Sequence, residues 1–251
     1  MRRLAIILIA TWITLSGCSG KNLDKTADWS AEKLYSEAKS ALDNGDYEQA
    51  INYYETLEAR YPFGVYALQA QLDVAYAYYR YEEPESAIAA ADRFIKLNPR
   101  HPAVDYAYYL KGVADFDRGS SLIDRIFTRD LSAYDTRALK SSYQAFSTLV
   151  ERFPDSKYAG DARERMIYLR NQLAEAEVDI AQYYLDRKAY VAAAKRAKYV
   201  VEHFQGTPVM PKALSIMDQS YRGLGLDTLA SDIQRVLEAN YGGPQTEGQS
   251  P

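Results

Sequence analysis

Ala50 and Ala87 stand 37 residues apart in this chain, and so do Pro62 and Pro99. A fixed period of this size marks a repeat architecture, in which each unit is one supersecondary element that cannot bury its apolar face alone. The residues between these markers say what the unit is. Ser30 can cap a helix whose apolar side uses Leu34, Ala38 and Leu42, in four-residue steps that return to one face. Asn44-Gly45-Asp46 breaks that helix. Tyr47, Ala50, Ile51, Tyr54 and Leu57 then form the stripe of a second one, which Tyr61-Pro62 ends. The strict apolar–polar alternation of a strand is absent.

A helix pair with small residues at its close contacts and proline near its end resembles the tetratricopeptide repeat, whose period is about 34 residues. In that register the first unit carries Leu34, Ala38, Gly45, Tyr47, Ala50, Tyr54, Leu57 and Pro62, and the second Val74, Ala75, Tyr78, Ala87, Phe94 and Pro99. The third has Leu110 and Gly112 on its first helix and Phe146, Leu149 and Pro154 closing its second. Pro99 to Pro154 is 55 residues, the period of 37 plus an insertion of 18 that falls within Arg118 to Lys140, between the two helices. A fourth unit uses Ile180, Ala181, Tyr184, Tyr190, Ala193 and Val200, with Gln205 in the place of proline and a first helix starting as early as Asp161. Leu214, Tyr221, Gly225, Ala230 and Leu237 make a fifth. The expected fold is all-α: a tetratricopeptide-repeat solenoid of about five helix pairs, ten helices, interrupted in its third repeat. Stacked pairs supply one another's core, and the product is a concave surface lined mainly by the first helix of each pair.

The ends of the chain carry different information. MRRLAIILIATWITLSGC opens with two arginines, runs apolar from Leu4 to Leu15 and closes on small residues, the pattern of a secretory signal peptide. Leu15-Ser16-Gly17-Cys18 resembles the bacterial lipobox, where the cysteine sulfur takes a diacylglyceryl thioether before cleavage. An uncleaved membrane anchor is the alternative, but the run is short for a span. Residues 1–17 therefore read as a lipoprotein signal peptide, 18–29 as lipidated N-terminus and tether, 30–241 as the repeat domain and 242–251 as a disordered tail. Cys18 is the single cysteine, so no intramolecular disulfide can form. Ser19 stands where aspartate would be the usual inner-membrane retention signal, so the lipobox resemblance implies the periplasmic face of the outer membrane.

Charge and motifs narrow the function classes. The formal charge of −4 becomes −6 once Arg2 and Arg3 leave with the signal peptide, which gives no general basic footprint for nucleic acid. His101 and His203 are the only histidines, widely separated and without a thiol partner, so neither a metal cluster nor a nucleophile triad is suggested. No glycine-rich phosphate loop occurs. Asp124, Asp130 and Asp135 in the insertion are acids among arginines, read as ion-paired or solvated. No enzyme and no cofactor is expected.

The 23 tyrosines are the chain's compositional peculiarity, and DVAYAYYRY, from Asp73 to Tyr81, concentrates four of them. A tyrosine ring can serve a core or a binding surface equally. The repeat resemblance separates them: Tyr78 falls at a core position facing the other helix of its own pair, while Tyr76 and Tyr79 fall where this repeat family turns side chains into the groove. Tyr35 and Leu42, Leu72, and Tyr106, Tyr109, Val113 and Phe116 are the corresponding positions of the first three units. Together they would form an aromatic stripe suited to peptide capture. The alternative is that the rings pack against neighbouring helices or the tether.

Three stretches carry a narrower resemblance: ARYPFGVYALQAQLDVAYAYY from 59 to 79, DRFIKLNPRHPAVDYAYYLKG from 92 to 112, and VERFPDSKYAGDA from 150 to 162. They resemble the BamD family, the tetratricopeptide lipoproteins of the outer-membrane β-barrel assembly (BAM) machinery, and the likeness includes the lipobox and the interrupted third repeat. The resemblance implies binding to the periplasmic domains of the barrel protein BamA through C-terminal repeats and contact with other BAM lipoproteins. It also implies recognition of the C-terminal signals of unfolded outer-membrane β-barrel proteins through N-terminal repeats. Between Gln182 and His203 the cations Arg187, Lys188, Lys195, Arg196 and Lys198 face only Asp186 and Glu202, a local balance of +3. Arg187 and Arg196 are thus candidates for pairing with BamA carboxylates, against the reading of a solvated helix face. Two readings from other classes stand beside this one: a periplasmic scaffold lipoprotein coordinating cell-wall enzymes, and a hydrolase within the insertion.

Overall fold

The computed structural model describes residues 25–126 and 136–242, with side chains described through 118 and from 136 onward. The expected signal peptide, Cys18, most of the tether, the tail beyond 242 and the segment 127–135 of the insertion lie outside the described residues. Among the described residues ten helices follow one another: α1 Ala31–Asp43, α2 Tyr47–Arg60, α3 Val65–Arg80, α4 Pro84–Leu97, α5 Val104–Ile126, α6 Arg137–Arg152, α7 Ala159–Asp186, α8 Tyr190–His203, α9 Met210–Gly223 and α10 Asp227–Tyr241. No strand occurs among the described residues.

Local chemistry sets the boundaries. The Ser30 hydroxyl accepts from the Lys33 amide at 3.2 Å and the Asp46 carboxylate from the Gln49 amide at 3.2 Å, each satisfying one orphan donor at a helix start. Gly45 turns the chain between them at φ +81°, a conformation a side chain would strain. Pro84 stands in the first turn of α4, where its missing N–H costs nothing.

Each helix packs on the next in sequence, and three further contacts join alternate helices: α1 with α3, α3 with α5, and α7 with α9. All three are first helices of their pairs. First helices that meet one another more extensively than second helices do curve the stack, so the concave side is the side of the first helices. Ala38, Ala50, Ala75 and Ala87 are fully buried at the helix crossings, as their repeat positions require. Tyr54, Phe94 and Phe146 are the largest fully buried side chains. At the α5–α6 crossing a Cβ on Gly112 would come within 2.5 Å of the Phe146 ring, and the Ser142 hydroxyl donates to the Gly112 carbonyl at 2.8 Å.

The structure corrects five expectations. The insertion does not fall cleanly between helices: α5 continues through Ile126, well into it. Leu72 is 2% exposed, packed with Phe94, Val104 and Ala107, and Leu42 and Val113 are buried too, so none of the three lines an open groove. Each sits on the flank of its helix that meets the next element, and an aliphatic side chain there is sealed by it. Tyr78, expected in the core of its own pair, is half-buried. Its neighbours Val74, Ala75 and Ala77 take the core, while its hydroxyl crosses to Glu55 on α2 of the preceding pair.

Candidate peptide-binding groove

The concave side carries the aromatic stripe. Tyr35 on α1, Tyr76 and Tyr79 on α3, and Tyr106, Tyr109 and Phe116 on α5 are all half-buried, one side of each ring resting on the core. Tyr79 belongs to two core clusters at once and joins the first repeats to the third. The rings also meet one another, Tyr76 with Tyr79 at 6.4 Å between centroids. Aromatic neighbours that the repeat register did not single out complete the surface. Tyr66 lies 5.5 Å from Tyr35, Tyr158 stacks on Tyr109 at 4.7 Å, and Tyr168 lies 5.5 Å from Phe116. Tyr158 touches Tyr106 as well, at 5.4 Å.

Hydrogen bonds tie each first helix to the next. The Tyr35 hydroxyl donates to Asp73 at 2.9 Å, Tyr79 to Asp117 at 2.7 Å and Tyr109 to Asp161 at 2.8 Å. The same tyrosine–aspartate link therefore recurs from α1 to α3, from α3 to α5 and from α5 to α7. Its first two instances are separated by 38 residues each, a period visible in the sequence; the third, at 52, is displaced by the insertion. Burial, then Asp73, pushes the Tyr35 phenol up, and burial, then the hydrogen bond to Asp117, pushes Tyr79 up to about 12. Burial also raises Tyr106 and Tyr109. The phenols are thus held neutral, and the oxygens of Tyr35, Tyr79 and Tyr109 are pinned by their aspartates.

Cations punctuate the stripe. Arg80 donates to the Tyr76 hydroxyl at 2.9 Å and lies 5.0 Å over the Tyr47 ring. Arg165 lies 4.8 Å over Phe116 and pairs with Asp161 at 2.6 Å. Burial works to raise the Asp161 carboxyl, but the hydrogen bonds from Arg165 and Tyr109 and the guanidinium charge outweigh it and hold the group below the usual range. Such a surface offers ring faces to apolar side chains and charged hydrogen-bonding groups to an extended backbone.

The second candidate surface is less free than its charge count suggests. Arg187 closes α7 with its guanidinium 3.4 Å over the Tyr183 ring. Arg196 on α8 donates to the Glu177 carboxylate on α7 at 2.7 Å, and Lys198 pairs with Glu202 at 3.5 Å. The local excess seen in sequence left out Glu177, which α7 brings in from outside the 182–203 window. Elsewhere, His101 sits edge-on to Phe94 at 5.2 Å and accepts from the Ala103 amide, so it shapes a repeat junction. Among the described residues no group of three or more histidine, cysteine or acidic side chains could hold a metal ion. No helix among them is long and apolar enough to cross a membrane.

Comparison with known proteins gives consistent results. Residues 27–236 match the family model YfiO, described as an outer membrane lipoprotein. The outer membrane protein assembly factor BamD of Neisseria meningitidis is 42% identical over 241 residues, covering 94% of this chain and 90% of that one. The BamD of Xylella fastidiosa is 36% identical, with 94% and 81% covered, and that of Vibrio cholerae 35%, with 90% and 93% covered. Among solved structures, a crystal structure of MamA aligns with a TM-score of 0.32 at 18% identity, covering 88% of this chain and 98% of that one, a likeness too loose to argue from.

Proposed function

This chain belongs to the YfiO outer membrane lipoprotein family, the family of its BamD relatives, and from that premise we propose that it is a non-catalytic subunit of the machinery that assembles and inserts β-barrel proteins into the outer membrane. It is held to the periplasmic face by the lipid on Cys18, binds BamA and other BAM lipoproteins, and receives the C-terminal signals of unfolded barrel proteins. The N-terminal repeats form the receptor and the C-terminal repeats, with Arg187 and Arg196, the BamA contact.

The observation that carries the receptor reading is the aromatic face of α1, α3 and α5. Tyr35, Tyr76, Tyr79, Tyr106, Tyr109 and Phe116 are brought to one side, and the tyrosine–aspartate links hold the phenols of Tyr35, Tyr79 and Tyr109. A barrel signal alternates apolar residues and commonly ends in an aromatic one. Rings already fixed in place lose little conformational freedom on receiving such a segment. Photocrosslinking from positions 76, 79, 109 and 196 in the membrane-bound protein tests both surfaces. Adducts with a barrel C-terminus from the first three and with BamA from the last are expected. Recovery of peptidoglycan enzymes without BamA on affinity purification would sink the proposal in favour of a cell-wall scaffold.

A further inference from the structure

One junction between repeats carries a large apolar residue at a position where the other three do not. At the residue after the closing proline, or after Gln205 in its place, the second, third and fourth units have Arg100, Asp155 and Gly206. The first has Phe63, which is 91% exposed, and Val65 two residues later is 82% exposed. Tyr61 and Tyr66 flank them, both partly open to solvent, so the turn presents two open apolar side chains with a partly covered ring on either side. Phe63 and Val65 do nothing for the repeat fold, whose buried core does not include them.

Its position says what it meets. The N-terminal segment is fastened to this same junction: Arg60 donates to the Thr26 carbonyl, and the Tyr61 hydroxyl to the Trp29 carbonyl at 2.9 Å. Cys18 lies eight residues before Thr26 in sequence, so the chain between them spans at most about 28 Å even when fully extended. The anchor thus leashes this corner of the protein to the membrane more closely than any other. Aromatic rings at the edge of an apolar tip are the arrangement that settles at a lipid–water interface.

We propose that the 61–66 turn is a membrane-contact element, with Phe63 and Val65 entering the interface of the leaflet that holds the lipid and Tyr61 lying at headgroup level. It orients the solenoid on the membrane, where a lipid chain alone would leave the body free to swivel. The inference rests on the lipid anchoring of Cys18 proposed above.

The chain's single cysteine makes the test direct, because lipidation consumes its only thiol. The lipidated full-length protein carrying F63C, V65C or, as control, R100C is labelled with an environment-sensitive fluorophore and reconstituted in phosphatidylethanolamine–phosphatidylglycerol liposomes containing nitroxide lipids. The expected result is blue-shifted emission and severalfold stronger quenching at 63 and 65 than at 100. Equal quenching at the three positions, with the protein sedimenting with the liposomes, would overturn the contact while leaving the anchor intact. A shift at 63 that appears only on adding a barrel C-terminal peptide would overturn it in favour of a polypeptide site. Protein that stays in the supernatant would overturn both the anchor and the contact.

Discussion

Arg196→Gln is expected to lower stability by about 1–2 kcal/mol before any effect on a partner is considered. Arg196 donates at 2.7 Å to Glu177, a residue 9% exposed, from a side chain that is itself 46% exposed. A hydrogen bond to a charged group contributes roughly 1.5–3 kcal/mol net, and removing one partner of a fully buried pair costs about 3–5 kcal/mol because a bare charge stays behind. Here water reaches the arginine, screens the pair and can partly solvate the abandoned carboxylate, which brings the cost to the low end. For a chain of this length each kcal/mol moves Tm by about 2–4 °C, so a fall of roughly 2–8 °C should appear in a thermal melt followed by circular dichroism. Glu177→Gln in the same background removes the stranded charge and should restore most of the loss. Affinity for BamA is then measured on the single and the double variant. Binding that stays lost after stability returns identifies Arg196 as a direct contact, and binding that returns assigns it to holding α8 on α7. An Arg196→Gln protein that melts with the wild type would refute the reasoning, since the Glu177 carboxylate would then have no need of its cation.

Other outcomes can be checked with the same methods. Tyr54→Ala should cost about 3–5 kcal/mol in urea unfolding as a fully buried aromatic, whereas Tyr78→Ala, half-buried and held by Glu55, should cost only about 1–3 kcal/mol. Gly112→Ala places a methyl group against the Phe146 ring and should destabilise by about 1–3 kcal/mol; an unchanged urea midpoint would mean that the α5–α6 crossing relaxes freely. Tyr79→Phe keeps the ring and loses the link to Asp117, so it should retain affinity for a barrel C-terminal peptide that Tyr79→Ala weakens; equal affinities in all three proteins would count against the groove. Asp161 is held below its ordinary pKa, so its contribution to stability is complete above about pH 4, the value for an unfolded aspartate, and is lost as pH falls through the lower folded value. Asp161→Asn should therefore flatten the acid limb of a stability–pH profile, and an unaltered limb would show that the carboxylate is uncoupled from folding.

The placement of the candidate residues was legible where it depended on repeat register. The register put Tyr35, Tyr76, Tyr79, Tyr106, Tyr109 and Phe116 on the first helices, and the structure brings them to one face because residues three and four apart share a side of a helix. It could not tell an open position from one closed by a neighbour, and Leu72 is the clearest case: its place on α3 suits the groove, but Phe94, Val104 and Ala107 cover it. Tyr158, Tyr66 and Tyr168 were missed because they belong to junctions and to the added length of α7, outside the repeat consensus. The acceptors Asp73, Asp117 and Asp161 had a signal in the recurring 38-residue interval from tyrosine to aspartate, which hydrophobic patterning does not weigh.

By itself the sequence determined the all-α solenoid, the helix pairs of its repeats and the start and stop points of the first pair. Those depend on propensity, caps, glycine turns and prolines, all of which act within a few residues along the chain. Only the tertiary structure decided that α5 runs into the insertion and that the half-buried Tyr78 reaches back to the preceding repeat. It also decided that the tyrosines link helix to helix and that Arg196 faces Glu177. Each of these is a contact between residues distant in sequence, fixed by how far one helix pair rotates on the next. That rotation is set by the summed packing of many side chains and leaves no local mark.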